Sequence, residues 1–282
     1  MAQAIQNSIP QWTGERLVTD VSNETKFEHL HRYALAVSLA SGMTVLDIAS
    51  GEGYGSNLLA GVAAKVVGVD IDSQTVAHAQ GKYGRDNLVF LHGSAIRIPC
   101  EDNTFDRVIS FETIEHIEEH EAMILEIKRV LKPDGIAVIS SPEKKYYSDA
   151  AGFKNEFHKK ELYLAEFEAL LARHFANRRM LFQKMTYCSL IFSPGGQADP
   201  FTAYGGDFGK VAAEPAGGFP YNIAICSDGA VPSPGSSIFN AEDALRQIRI
   251  ERTRLLNSKT YRLGDSIVRP FRALRALFGS RR

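Results

Sequence analysis

The chain has 282 residues, of which 44% are hydrophobic and 23% charged, and a formal net charge of -1. That length fills one large core with room for a lid or small appendage, and near-neutrality excludes a bulk nucleic-acid coat, so no nucleic-acid partner is expected. Cys100, Cys188 and Cys226 are unclustered and odd in number. They form neither a disulfide framework nor a zinc set, which points to a reducing cytoplasm. No apolar run reaches membrane-spanning length, and the N-terminal residues carry no signal-peptide pattern.

Residues 1–22 are mixed and polar, with Pro10 and Trp12, and read as an arm. From Asn23, NETKFEHLHRYALAVSLA predicts a helix capped by Asn23, with Phe27, Leu30, Ala34 and Val37 on its apolar stripe. His29, His31 and Arg32 then read either as a charged rim or as cover for a ligand. TVLDIASGEGYG (44–55) follows. Val45 to Ile48 predicts a buried strand, and Gly51, Gly53 and Gly55 a tight turn that opens a helix over 54–60. Backbone N–H groups at such a turn suit the polar or anionic parts of a nucleotide-like cofactor. A second strand, in AAKVVGVDIDS, ends at Asp70, nineteen residues beyond Gly51. In a βαβ unit of this spacing the acid at the second strand's end reaches a ribose diol. Ser73 is read as the cap of the next helix. Strands are predicted over 88–93, 104–111 and 136–141, and an amphipathic helix over 119–131 that Lys132-Pro-Asp-Gly terminates.

FETIEH places Glu112, Glu115 and His116 directly after the fourth strand. Two carboxylates and an imidazole suit a divalent-metal site or an acid/base cluster, and serve equally as loop ties. Residues 142–160, PEKKYYSDAAGFKNEFHKK, lie just past the fifth strand's carboxyl end, where an open α/β sheet places its ligand crevice. His158 is therefore a candidate base, and Tyr146, Tyr147 and Asn155 are candidate substrate contacts, against the reading of an ordinary exposed loop. A helix over 161–175, a strand within 178–187 and a last strand over 220–227 complete the domain, 23–231. The Gly/Pro/Ala-rich stretch 193–218 reads as a lid or a disordered insertion. Residues 232–239 read as a linker and 240–282 as a helical tail. From Lys259 onward seven Arg or Lys stand against Asp265 alone, with Leu263, Ile267, Phe271, Leu274 and Phe278 on one stripe. That pattern suggests docking on an anionic membrane surface or in a complex, against packing in a homodimer or an inert tail.

VLDIASGEGYG, VVGVDID, GSA, FDRVISFETIEHI and EIKRVLKPDG, in this order, resemble the class I S-adenosylmethionine-dependent methyltransferases over roughly residues 25–227. The resemblance implies a doubly wound, Rossmann-like α/β fold: a seven-stranded, mostly parallel sheet whose last strand is antiparallel. It also implies S-adenosylmethionine as cofactor. On it, Asp47 would orient the glycine loop and the methionine amine, while Ala49, Gly51 and Gly53 would supply close backbone. Asp70 would hold the ribose hydroxyls and Ile71 would pack on adenine. Ala95, next to Ser94, would meet the adenine edge, and Phe111 would line the methionine moiety. Ala49 stands where the family usually has glycine, and Ser94 where an aspartate often grips the adenine amine.

EHLHRY, DIASGEGYGS, SFETIEHI and NEFHKKE look like methyltransferases of bacterial surface-polysaccharide and O-antigen pathways. NSKTYRLGDSIVRPFRALR resembles the tails of cell-surface glycosyltransferases. Together they imply O-methylation of a sugar or glycan near the inner membrane face, with peripheral membrane or glycosyltransferase-complex contact through 259–282. Glu112, Glu115 and His116 also match a trio in ubiquinone-pathway O-methyltransferases, some of which use a divalent metal. In-line methyl transfer to a hydroxyl needs alignment and a proton acceptor, for which His158 is preferred over His116. A methyltransferase of a small metabolite, quinone or protein is the nearest alternative. A non-catalytic scaffold built on the cofactor fold is a second, and a nicotinamide dehydrogenase a poor third.

Overall fold

The computed structural model describes residues 24–186, 204–206, 211–213, 217–264 and 267–268. The arm 1–22, the cap Asn23, Cys188, most of 193–218, and Phe271, Leu274 and Phe278 of the tail stripe lie outside the described residues. The chain divides into two units, Met1–Ile238 and Phe239–Arg282.

In the first unit the elements run α1 (Glu24–Ser38), β1 (Thr44–Ile48), α2 (Tyr54–Ala60), β2 (Lys65–Asp70), α3 (Ser73–Lys82), β3 (Leu88–His92) and β4 (Phe105–Ser110). A 3-10 turn at Ile114–His116 leads to α4 (His120–Val130), β5 (Leu131–Pro142), a π-helical turn at Lys145–Asp149, α5 (Leu164–His174) and β6 (Asn177–Gln183). β7 (Tyr204–Gly206), β8 (Val211–Ala213) and β9 (Tyr221–Ser227) follow. One seven-stranded sheet has the order β3-β2-β1-β4-β5-β9-β6. β9 runs antiparallel to both its neighbours and every other pair in the sheet is parallel. The expected fold is the observed one.

Period-2 alternation along the strands divides the core into two layers. Leu46, Ile48, Val67, Val69, Val108 and Ile139 point to the side of α4 and α5, against Met123, Ile127 and Phe167. Val45, Val66, Ile109 and Val138 point to the other side, with Tyr33 and Ala36 of α1 and Leu59 of α2. Each such side chain, fully buried, contributes about 1.5–3 kcal/mol. Asp47 shares the face of Val45, so the alternation delivers its carboxylate to α1 and α2. The strand order reverses between β1 and β4, and their carboxyl ends flank the crevice that an open α/β sheet offers a ligand.

Several local expectations are corrected. Asp72, not Ser73, caps α3, its carboxylate accepting the Gln74 N–H at 2.9 Å and the Thr75 hydroxyl at 2.8 Å. α1 is rotated from its expected stripe: Phe27 is buried, but Glu28, Arg32, Tyr33 and Ala36 complete the buried face, while Ala34 is exposed. Arg32 is therefore no rim residue. β5 begins at Leu131, because an irregular register between Phe105 and Arg107 lets Leu131 pair before the regular run from Ile136. α5 starts at Leu164, where the Glu166 carboxylate accepts the Tyr163 N–H at 3.0 Å and Glu143 accepts that of Leu164 at 3.1 Å. Within 193–218, β7 and β8 pair as an antiparallel ribbon, and the rest of the stretch read as a lid or insertion lies mostly outside the described residues.

In the second unit, α6 spans Glu242–Asn257, and residues 259–264 are again helical. Among the described residues no helix is long and apolar enough to cross a membrane.

Candidate active site

The loop from β1 to α2 is shaped by positive φ at three alternate residues, Ala49 (55°), Gly51 (55°) and Gly53 (91°). Gly53 is obligatory twice over, since a Cβ there would lie 2.7 Å from the Phe90 ring and 2.9 Å from Ala79. Among the described residues a Cβ on Gly51 would meet nothing within 4 Å, which leaves room for a ligand on that side of the loop. Ala49 does have a Cβ and accepts a left-handed backbone at a cost of about 1–2 kcal/mol. Its methyl is tolerated, with strain.

Asp70 closes the loop from β2. Its Oδ2 accepts the Gly51 N–H at 2.9 Å and its Oδ1 the Asp72 N–H at 3.0 Å. A carboxylate oxygen has two acceptor positions, so these amides do not exhaust the group. Ile71, 67% exposed, stands next to it as an apolar platform. Ser94 and Ala95 follow β3, Ser94 bridging to Arg97 and Ala95 packing on the core. Glu52, buried in the loop, is held by Lys82 Nζ at 2.8 Å.

Beneath the loop, Asp47 is fully buried. Ser56 donates to its Oδ2 at 2.6 Å, and the Tyr33 hydroxyl lies 3.2 and 3.3 Å from its two oxygens. Burial pushes the Asp47 carboxyl up to about 7, against the pull of the Ser56 and Tyr33 hydroxyls. Tyr33 packs edge-on against Phe111, with centroids 5.1 Å apart, and against Tyr54 at 5.6 Å. Tyr54 in turn meets His29 Nδ1 through its hydroxyl at 2.7 Å.

The residue after Phe111 opens a second, polar cluster. Glu112 has a positive φ of 48°. The Ser140 hydroxyl accepts its N–H at 3.0 Å and donates to its Oε1 at 2.5 Å, while Arg32 NH1 lies 3.0 Å from the same oxygen. Arg32 is 1% exposed and stacks over the Tyr221 ring at 4.8 Å. The Tyr221 hydroxyl donates to Glu28 at 3.0 Å, and burial raises the Glu28 carboxyl above its usual range.

His116 and His158, 42 positions apart in sequence, come together with ring centroids 5.1 Å apart. His116 Nδ1 lies 3.0 Å from the Phe157 carbonyl, and His158 Nδ1 lies 2.6 Å from Glu161 Oε1. Ser148 donates to the other Glu161 oxygen at 2.5 Å. Asn155 Nδ2 lies 3.0 Å from His158 Nε2, and Tyr147 stacks on the same imidazole at 5.3 Å. Glu115 is 1% exposed, and among the described residues its Oε2 has no hydrogen-bond partner. Burial first, then the neighbouring Glu112, push its carboxyl well above the usual range.

Ligand atoms of Glu115, His116 and His158 lie within 4.8 Å of one another. The trio Glu112, Glu115 and His116, read from the sequence as a metal set, an acid/base cluster or loop ties, is divided: Glu112 lies against Arg32 and Ser140, while His158 lies beside Glu115 and His116. Tyr147 and Asn155 join the cluster. Tyr146 is 40% exposed, with its ring beside Lys145 Nζ. Sequence reading missed Tyr33, Ser56, Glu161 and Ser140. Only the HxxE spacing of His158 and Glu161 could have drawn attention to Glu161, and it is too short a pattern to carry a role.

Residues 46–139 match the family model described as a methyltransferase domain. A probable S-adenosylmethionine-dependent methyltransferase of Mycolicibacterium smegmatis is 34% identical over 171 residues, which cover 60% of this chain and 65% of that protein. A sterol 24-C-methyltransferase of Gibberella zeae is 35% identical over 38% of this chain and 30% of its own length. For a demethylmenaquinone methyltransferase of Clavibacter sepedonicus the figures are 33%, 37% and 43%. The chain thus spans less than two thirds of the length of these relatives. Among solved structures, an S-adenosylmethionine-dependent methyltransferase of Thermotoga maritima superposes with a TM-score of 0.51 at 18% identity, covering 72% of this chain and 90% of that one. That likeness is one of fold.

Proposed function

We propose that this chain, which carries a class I S-adenosylmethionine-dependent methyltransferase domain, transfers a methyl group from S-adenosylmethionine to a hydroxyl of a small acceptor. The carrying observation is that consecutive residues past the end of β4 serve both clusters. Phe111 packs on Tyr33, which bonds Asp47 beneath the glycine loop. Glu112, held by Arg32 and Ser140, lies near enough to Glu115 beside the two histidines to act on its charge. Bound cofactor would supply an electrophilic sulfonium methyl. The open face at Gly51, the exposed Ile71 beside Asp70, and Asp47 beneath the loop fit such a ligand. Asp70 would hold the ribose, Ala95 and Ser94 the adenine edge, and Phe111 the methionine chain.

On the acceptor side, the Glu161 carboxylate can only accept, so His158 carries its proton on Nδ1 and a lone pair on Nε2. Asn155 Nδ2 now donates to that lone pair, and an acceptor hydroxyl arriving there would take the amide's place. His158 then accepts the hydroxyl proton as the oxygen attacks, and Glu161 stabilises the imidazolium. Tyr147 fixes the ring plane.

Relatives named for sterol and demethylmenaquinone support a lipidic or quinone acceptor class, the sterol enzyme being named for transfer to carbon and so lending nothing to the choice of a hydroxyl. A sugar or glycan hydroxyl is the second reading, supported by the polar wall of Arg32, Glu112, Glu115, Tyr147 and Asn155. The test is labelled-methyl transfer with two acceptor panels, quinols and sterols against nucleotide sugars and lipid-linked glycans. His158→Ala should keep cofactor affinity and lose about 10²–10⁴-fold in turnover. A full-rate His158→Ala enzyme sinks the assignment of the base, and no transfer to either panel sinks the acceptor classes.

A further inference from the structure

We propose that Glu115, His116 and His158 form a binding site for one divalent transition-metal ion, of the two-histidine, one-carboxylate type. Three observations carry it. The first is proximity, with the three ligand atoms within 4.8 Å of one another. The second is the orientation of the imidazoles. His116 Nδ1 faces the Phe157 carbonyl and His158 Nδ1 the Glu161 carboxylate. Both partners are acceptors, so each Nδ1 carries a proton, and an ion would be held through Nε2 of the neutral imidazole. Carbonyl and carboxylate partners on the far nitrogen are the usual supports of a metal-bound histidine.

The third observation is Glu115. Its side chain is 1% exposed and its Oε2 lacks any hydrogen-bond partner among the described residues, although a buried oxygen left unsatisfied costs about 1–3 kcal/mol, more when charged. Glu115 thus offers the third ligand. Two imidazoles and one carboxylate favour iron(II), manganese(II), zinc or cobalt(II) over calcium, which prefers an all-oxygen shell. Asn155 Nδ2, 3.0 Å from His158 Nε2, must turn away for the ion to bind.

The site's role in activating an acceptor rests on the proposed activity; metal binding itself does not. His158 Nε2 cannot hold an ion and accept a proton at once, so a bound ion would displace the base role proposed for His158, and His158→Ala does not separate the two. Glu115→Gln does, because it removes a charged ligand and leaves the imidazole and Glu161 intact. The experiment titrates the metal-stripped full chain with cobalt(II), read by its visible absorption, and with zinc by calorimetry. One ion should bind per chain. Glu115→Gln should abolish stoichiometric binding, and Glu161→Gln, which loosens only the support of His158, should weaken it about 10–100-fold. Glu112→Gln, whose carboxylate is held by Arg32 and Ser140, should stay within about threefold of the parent. Circular dichroism of each variant checks that it is folded. No bound ion in the parent, or equal affinity in folded Glu115→Gln, overturns the site. Metal binding with no methyl transfer to any acceptor overturns the proposed activity and leaves the site standing.

Discussion

Asp47 is the most exacting point at which to test the arrangement. It is fully buried, the Ser56 and Tyr33 hydroxyls are its partners, and its carboxyl is pushed from 3.8 up to about 7. In the unfolded chain the group releases its proton near the ordinary aspartate value. Between about pH 4 and pH 7 the native state therefore binds more protons than the unfolded state, and stability falls as pH rises through that window. Below it nothing is lost; above it the full penalty stands, roughly 4 kcal/mol for a rise from 3.8 to about 7. Full burial leaves no solvent screening to discount.

Asp47→Asn removes the titration and keeps the hydroxyl partners, since its Oδ1 still accepts from Ser56 and Tyr33. The measurement is urea unfolding of the cofactor-free protein and of the variant at several pH values from about 5 to about 8. Glu28 and Glu115, whose carboxyls are also raised by burial, are present in both proteins and cancel in the difference. The stability of the variant relative to the parent should rise by roughly 3 kcal/mol across that interval. A difference that stays constant within about 0.5 kcal/mol refutes the reasoning, because Asp47 would then titrate alike in both states.

Two substitutions test the loop above it. Ala49→Gly releases the strain of a φ of 55° and raises the entropy of the unfolded chain, so chemical denaturation should show a net gain of up to about 1 kcal/mol; a loss beyond about 1 kcal/mol contradicts a strained Ala49. Gly55→Ala would place a Cβ 1.9 Å from Tyr33 Cζ and 2.2 Å from its hydroxyl, driving the ring off Asp47. A destabilisation of about 3 kcal/mol is expected by thermal or urea unfolding, and a neutral result would mean that Tyr33 does not pack as described.

The fold was legible because its strands announce themselves. TVLDI, KVVGVD and IAVIS are short apolar runs bounded by glycine, proline or acid, and burial on both faces requires that composition. The cofactor loop was legible for a similar reason: glycines and an acid at fixed spacing are local requirements written in local sequence. Pairing across the crevice was not. His116 meets His158 only because β4 and β5 lie side by side, and Glu161 reads as a helix residue until the chain is seen to start α5 at Leu164. The rotation of α1 escaped for a different reason. Periodicity ranks residues by hydrophobicity, so it chose Leu30 and Ala34 over Glu28 and Arg32, whose burial depends on partners supplied by β9 and the turn after β4.

That rotation explains a strained residue elsewhere. Adjacent residues of α1 serve the two clusters, with Tyr33 on Asp47 beneath the glycine loop and Arg32 on Glu112 in the polar cluster. Adjacent residues after β4 answer them, Phe111 packing on Tyr33 and Glu112 pairing with Arg32. For both contacts to form at once, the chain must turn sharply between Phe111 and Glu112, and Glu112 takes a φ of 48°. A left-handed backbone costs a non-glycine residue about 1–2 kcal/mol. Glycine would remove that cost, but it would also remove the carboxylate that balances a guanidinium with 1% exposure, and an uncompensated buried charge costs about 3–5 kcal/mol. Losing the ion pair is the worse of the two, so glutamate is favoured over glycine there. The strain at Glu112 is the local consequence of binding the two halves of the site to one face of one helix.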